Sequence, residues 1–162
     1  MMQETQQLTI TTAKVYVQTV LQLLEQAQRS VRLFSQILDH SVYNSPEIAR
    51  QISRLATSGK HASIQILLCN PLALQNRDHR LLNLARKLDS HIQLFTPEAE
   101  HLHREDEFLL IDDTAYLYRS NTESWQGIAD FNAPRHSRKL AKEFSLIWQK
   151  GKPPAVLQVL HV

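Results

Sequence analysis

The stretch Glu105-Asp106-Glu107-Phe108-Leu109-Leu110-Ile111-Asp112-Asp113-Thr114-Ala115-Tyr116-Leu117-Tyr118-Arg119-Ser120-Asn121 decides how the rest of the chain is read. Four consecutive apolar residues, Phe108, Leu109, Leu110 and Ile111, are closed by Asp112. A second strand-prone run begins at Ala115, after only Asp112, Asp113 and Thr114. Apolar and aromatic runs on either side of a short polar turn predict two adjacent strands, residues 107–111 and 115–119, joined as a hairpin.

Upstream of the hairpin, strand and helix patterns alternate. Residues 8–11 suit a short strand, and Thr12 suits the cap of a helix that turns Val17, Val20, Leu21, Leu24 and Ala27 inward. Residues 31–37 read as a buried strand. The next helix is clearly punctuated, with Ser45 as cap, Pro46 at its first position, Glu47 in its first turn and Gly59 just past its end. Residues 62–69 are apolar on both sides, as in a central strand covered on each face. A third helix begins after Asn76 or Asp78, and residues 92–95 form a short strand that Thr96-Pro97 ends. Downstream, residues 120–132 read as a long loop, and Pro134 opens a last helix whose stripe is Leu140, Phe144, Ile147 and Trp148. The expectation is an α/β domain, a mixed and mostly parallel sheet flanked by helices. Its boundaries are a flexible segment at residues 1–11, the domain at 12–151 and a tail at 152–162.

Composition narrows the function classes. The chain has 162 residues, 43% of them hydrophobic, enough for one domain with a core, and no apolar run is long enough for a membrane span. The polar start lacks the basic-then-apolar order of a secretory signal, so cytoplasmic residence is expected. Cys69 is the single cysteine; it allows no internal disulfide and reads as a small core residue without an activating neighbour. Gly59, Gly127 and Gly151 are the three glycines, and none opens a phosphate-cradling loop, so no nucleotide cofactor is expected. A net charge of +2 permits nucleic-acid binding without indicating it.

The frame of the opening stretch resembles the phospholipase D superfamily. There His-x-Lys, four residues, Asp and, slightly later, Gly-Ser-x-Asn recur, with the Asp closing a buried strand and the Ser ending the next. Asp112, Ser120 and Asn121 match that frame. The resemblance extends over residues 30–151, through the strand-to-helix passage at 33–52 and Phe144-x-x-x-Trp148, and is to a single-repeat, uncharacterised bacterial group. Counting back from Asp112, the nucleophile position falls on Glu105 and the lysine position on Glu107, while Arg119 replaces Gly. Asn132 is at best a remnant of the trailing Asn-x-Glu. Two carboxylates repel a phosphodiester and supply no imidazole to attack phosphorus, so this resemblance implies a silent site with Glu105, Glu107, Asp112, Ser120 and Asn121 as vestigial positions. It also implies a homodimer, because single-repeat members resemble half an enzyme.

Several residue groups are candidates beside that frame. Arg135, Arg138, Lys139 and Lys142 recur at spacings of three and four on the last helix, opposite its apolar stripe, and fit a phosphate-bearing ligand, nucleic acid included. Their position near a helix start opposes the helix dipole, which calls for an anion or carboxylate close by. The acidic run at residues 98–113, with seven acids against Arg104, is an internal candidate for that counter-charge. Asp39 and His40, with Tyr43 and Asn44, follow the carboxyl end of a predicted strand, where α/β sheets place ligands. Trp125 and Tyr118 fit either base stacking or cover of the core edge. The rival enzyme reading is a metal-dependent or atypical phosphodiesterase using His101, His103 and Asp112. A third reading is a subunit whose exposed apolar surface, at Trp125 or residues 156–162, meets a protein partner.

Overall fold

A computed structural model of the chain describes residues 7–158. Its sheet has seven strands in the order β1-β7-β6-β5-β2-β3-β4. These are β1 (Gln7–Ile10), β2 (Ser30–Ser35), β3 (Ser63–Leu68), β4 (Ile92–Phe95), β5 (Glu107–Ile111), β6 (Ala115–Arg119) and β7 (Gly127–Asp130). The helices are α1 (Ala13–Gln26), α2 (His40–Tyr43), α3 (Pro46–Ala56), α4 (Arg80–Lys87), α5 (Pro134–Gln149) and α6 (Ala155–Gln158). Single 3-10 turns at Pro71–Leu74 and Ala99–His101 complete the described residues.

The sheet is mixed, as expected, but mostly antiparallel rather than mostly parallel. Only β2·β3 and β3·β4 run parallel, whereas β2·β5, β5·β6, β6·β7 and β1·β7 are antiparallel. The physical reason lies in the connections: crossover helices α3 and α4 return the chain for parallel pairing, and after β5 no helix intervenes before β7, so each strand reverses onto its neighbour. Strand β7 lies inside the segment expected to be loop. Its four residues, Gly-Ile-Ala-Asp, start on a glycine where an added Cβ would meet the Tyr118 carbonyl oxygen at 2.9 Å, and the close approach of β6 requires that glycine.

Residues 7–10 form the edge strand β1, within one residue of the short strand expected at residues 8–11; residues 1–6 lie outside the described part. In the tail, Lys152 bridges Thr96 and Ala155–Gln158 forms α6; residues 159–162 lie outside the described part. The Thr96 bridge and Pro153-Pro154 close part of the β4 edge, since proline offers no amide to a further strand.

Two cores sandwich the sheet. On one face α1, α2, α3 and α4 pack over Val31, Leu33, Ile64, Ile66, Leu109, Ile111 and Leu117. On the other, α5 alone covers Phe34, Leu67, Phe108, Leu110 and Tyr116 through Ala141, Phe144 and Ile147. Alternation along β5 therefore sends Glu107, Leu109 and Ile111 toward α1, and Phe108 and Leu110 toward α5. Cys69 belongs to the second core, where burial pushes its thiol up to about 12.

Candidate functional site

The vestigial motif folds into two separate structures at opposite ends of β5. At the turn end, Asp112 (φ 54) and Asp113 (φ 55) both adopt the left-handed conformation that Asp tolerates better than most residues. The Asp112 carboxylate accepts hydrogen bonds from the backbone N–H groups of Gln28 (2.9 Å), Arg29 (2.8 Å) and Ser30 (2.9 Å), which fixes the entry to β2. Asp113 pairs with Arg32 at 2.9 Å.

At the other end, Glu107 is 2% exposed and enclosed by donors. Ser35 Oγ donates to one carboxylate oxygen at 2.6 Å and Tyr16 Oη to the other at 2.7 Å. Arg119, its cross-strand partner and equally buried, sits 3.8 Å away. The guanidinium donates to the carbonyls of Ser124 (2.6 Å) and Thr122 (2.7 Å) and lies over the rings of Trp125 (4.2 Å) and Tyr16 (5.2 Å). Burial pushes the Glu107 carboxyl above the usual range, against the pull of Ser35, Tyr16 and Arg119. Burial and then the charge of Glu107 push Tyr16 well up. Tyr43, also driven up by burial and by Glu107, has a buried hydroxyl without a hydrogen-bond partner.

The network continues into the candidate segment after β2. Leu38 N–H donates to Ser35 Oγ (3.0 Å), and His79 Nε2 meets the Leu38 carbonyl at 2.8 Å. His79 Nδ1 accepts from the N–H of Leu81 at 3.2 Å and so caps α4. Because Nδ1 must accept, Nε2 carries the proton and the ring is neutral; burial lowers its proton affinity accordingly. Leu38, fully buried at φ 50, is strained by about 1–2 kcal/mol and is held there by these two bonds. Asp39 caps α2 through Ser41, the His40 ring stands edge-on to His79 at 4.7 Å, and Asn44 accepts from the N–H of Arg80 at 2.8 Å. These side chains fasten α2 to α4.

The rival catalytic group is not assembled. His101 ends a 3-10 turn and His103 lies in the following loop, so they do not share the strand geometry that would aim them the same way. His101 is 3.5 Å from Glu100. Asp112 stands at the far end of β5, roughly 17 Å along the strand from Glu107, and its carboxylate is committed to backbone amides. Among the described residues no group of three or more His, Cys, Asp and Glu could hold a metal ion.

Glu105 and Ser120 are exposed, and Asn121 accepts from the N–H of Glu123 at 2.7 Å in a turn. Ser120 borders a shallow groove of about 410 Å³ with Thr9, Thr11, Tyr118 and Gln126. Trp125 meets Tyr16 edge-on at 5.3 Å, and Tyr118 reaches Asp106 at 3.4 Å. Trp125 therefore covers the core edge.

The cations of α5 lie elsewhere. Its first turn is seated at the hairpin turn by Ala133 N–H to the Thr114 carbonyl (2.7 Å), has no side-chain cap and contains no acid. Arg135, Arg138, Lys139 and Lys142 are all exposed, on the side of α5 opposite Ser137, Ala141, Phe144 and Ile147. Among the described residues none of the four is in an ion pair; Glu143, the nearest acid on the helix, is taken by Arg104 at 2.8 Å. The acidic run does not supply their counter-charge. They also lie across the sheet from Glu107, so the structure does not unite them with the vestigial site.

Sequence reasoning missed Tyr16, Ser35 and His79. The signal for the ion pair was present: a hairpin pairing Ile111 with Ala115 also pairs Glu107 with Arg119.

Residues 12–160 match the family model described as "Domain of unknown function (DUF7931)". No curated protein matches the sequence. Among solved structures, the chain is similar to Nuc from Salmonella typhimurium, a phospholipase D family member, with a TM-score of 0.62 and 16% identity over 92% of this chain and 97% of that one. It is similar to NucT from Helicobacter pylori, with a TM-score of 0.65 and 11% identity over 91% and 98%. It is also similar to TrmBL2, an archaeal chromatin protein with a novel mode of DNA binding, with a TM-score of 0.67 and 14% identity over 93% of this chain. The chain spans 54% of that protein's length. At such identities the likeness establishes the fold, which is phospholipase D-like.

Proposed function

We propose that this chain, which belongs to the DUF7931 family and has a phospholipase D-like fold, is a catalytically silent module that binds a phosphate-bearing ligand through the outer face of α5. The observation that carries this is the set of four exposed cations, Arg135, Arg138, Lys139 and Lys142, without an acidic partner among the described residues. They cluster within about 10 Å of helix. The uncapped amides of its first turn add a field of the same sign.

Silence follows from what occupies the motif. Glu107 replaces the lysine and is consumed by Ser35, Tyr16 and Arg119, while Glu105 offers no imidazole. The fold of a phosphodiesterase is retained, and the electrostatics that would attract a phosphate to that spot are inverted. Ser120 and Asn121 remain as vestigial positions and are not assigned to the ligand. A second copy of the chain stays within the proposal because the single-repeat resemblance implies it, and a monomeric mass in sedimentation would remove it.

The test is a mobility shift with labelled oligonucleotides, with inorganic polyphosphate as competitor, at low and moderate salt, with and without divalent metal. Binding without cleavage that weakens as salt rises is expected. With four cations the slope of log K against log salt should be about −3 for a single strand. Reversal of all four charges should abolish the shift; an unchanged shift would end the proposal. Cleavage would revive the reading that rests on His101 and His103.

A further inference from the structure

We infer that the ligand of the α5 face is a single-stranded nucleic acid, with one base stacked on the ring of His136. This rests on the phosphate-binding reading of the four cations and narrows it to a substrate class.

His136 stands next to Arg135 in the first turn of α5. It is exposed, yet its ring is held: it lies 4.3 Å from the ring of Tyr116 at an interplanar angle of 30°. Tyr116 is 3% exposed and its hydroxyl accepts from Gln7 at 3.2 Å, so the lower ring is fixed. An imidazole resting at a tilt on a fixed phenol, and exposed to solvent, is a small platform for a second planar group. It lies between Arg135 and Arg138 in sequence, but helical period sets it on the flank beside the cationic face.

Two features favour a single strand over a duplex. First, the cations span eight residues of helix, about 10 Å, and one nucleic-acid strand carries a charge about every 3.4 Å. One strand suffices to neutralise them. Second, His136 and Glu143 are seven residues apart and share one flank of α5. Glu143 there lines a cleft of about 310 Å³ in which three carboxylates, its own with those of Glu98 and Glu100, outnumber the cations Arg104 and Lys150. A duplex lying along this flank would bring a second row of phosphates, across a groove about 6–12 Å wide, toward those carboxylates. A single strand can stop at the cationic half of the helix. A base can reach the imidazole face only if it is unpaired.

The experiment measures fluorescence anisotropy of a labelled oligothymidylate, a labelled duplex, and inorganic polyphosphate as competitor, on the full chain. His136→Ala should weaken oligothymidylate binding by about five- to a hundredfold, as loss of one stacked base does. Its salt slope should stay as in the parent, since stacking releases no counterions, and the Kd of polyphosphate obtained from the competition should equal the parent's. His136→Phe should restore affinity by returning a ring. If His136→Ala binds like the parent while reversal of the four charges abolishes binding, the stacking inference is overturned and the phosphate reading stands. If charge reversal leaves binding intact, both fall. A duplex bound as tightly as the single strand would overturn the single-strand assignment alone.

Discussion

Glu107 with Arg119 and the cations of α5 are two charged regions built on opposite rules. The first pair is 2% exposed, and every polar group of the pair has a protein partner. The second group is exposed and has no acid among the described residues. Charges that are buried and mutually satisfied serve the fold, because removing either one strands the other in a low dielectric. Charges left open on a rigid helix contribute little to folding and remain available to a ligand. The same residue types therefore carry structural information in one place and functional information in the other.

The largest effect should come from splitting the buried pair. Arg119→Ala leaves Glu107 charged without its neighbour and frees the Thr122 and Ser124 carbonyls. Urea unfolding should show a loss of about 3–5 kcal/mol. The double variant Glu107→Leu with Arg119→Met removes both charges and should be more stable than either single variant. A double variant as damaged as the sum of the singles would mean that the two residues act independently and are not a pair.

Asp112→Ala should cost less, roughly 2 kcal/mol, because the three amides it serves lie nearer to water. Asp112→Asn should retain part of that stability. No change in ligand binding is expected from either, since Asp112 is occupied with the start of β2; a selective loss of binding would return it to the functional group.

How much of this was legible depends on the range of the interaction. Strands β5 and β6 and the start of the helix opened by Ser45-Pro46 were readable to the residue, because turn chemistry and capping are written within a few positions; that helix ends at Ala56, short of the Gly59 expected just past its end. Strand β7 was not: it is four residues long and obtains its strand character from pairing with β1 and β6. The direction of β5 against β2 likewise depends on a connection spanning most of the domain. For the site, Glu107 stood out as a charge in an apolar strand, and hairpin counting finds Arg119. Tyr16, Ser35 and His79 come from three other elements and have no local mark. The four α5 cations were legible by helical period alone, because exposure on an amphipathic helix follows from the apolar stripe opposite.

A smaller effect concerns pH and the link between the buried pair and α4. His79 holds its proton less tightly folded than unfolded, because burial disfavours the imidazolium and Nδ1 must accept from Leu81. Its contribution is whole above about pH 6.5, the ordinary histidine value. As pH falls below that, the unfolded chain takes up the proton first and stability is lost toward the lower folded value. Around the ring lie His40, Arg77 and Asp78; the cations oppose protonation and Asp78 favours it. Glu107, raised by burial, has the opposite sign on acidification, so the readout is a difference. Thermal midpoints of the parent should fall between pH 6.5 and 5 more steeply than those of His79→Asn. Parallel curves would remove His79 from the network.

The smallest expected effect on folding is the sharpest on the comparison. Arg135 lies in the first turn of α5, where the helix dipole repels a cation and no side chain caps the free amides. Arg135→Glu should therefore leave stability unchanged or raise it by about 0.3–1 kcal/mol, while weakening oligonucleotide binding and making the salt slope shallower. A residue that mildly opposes folding and favours binding is doing the opposite of what Arg119 does. If Arg135→Glu instead destabilised the chain by as much as Arg119→Ala, α5 would be part of the internal electrostatics after all, and its cations would have to be read as structural.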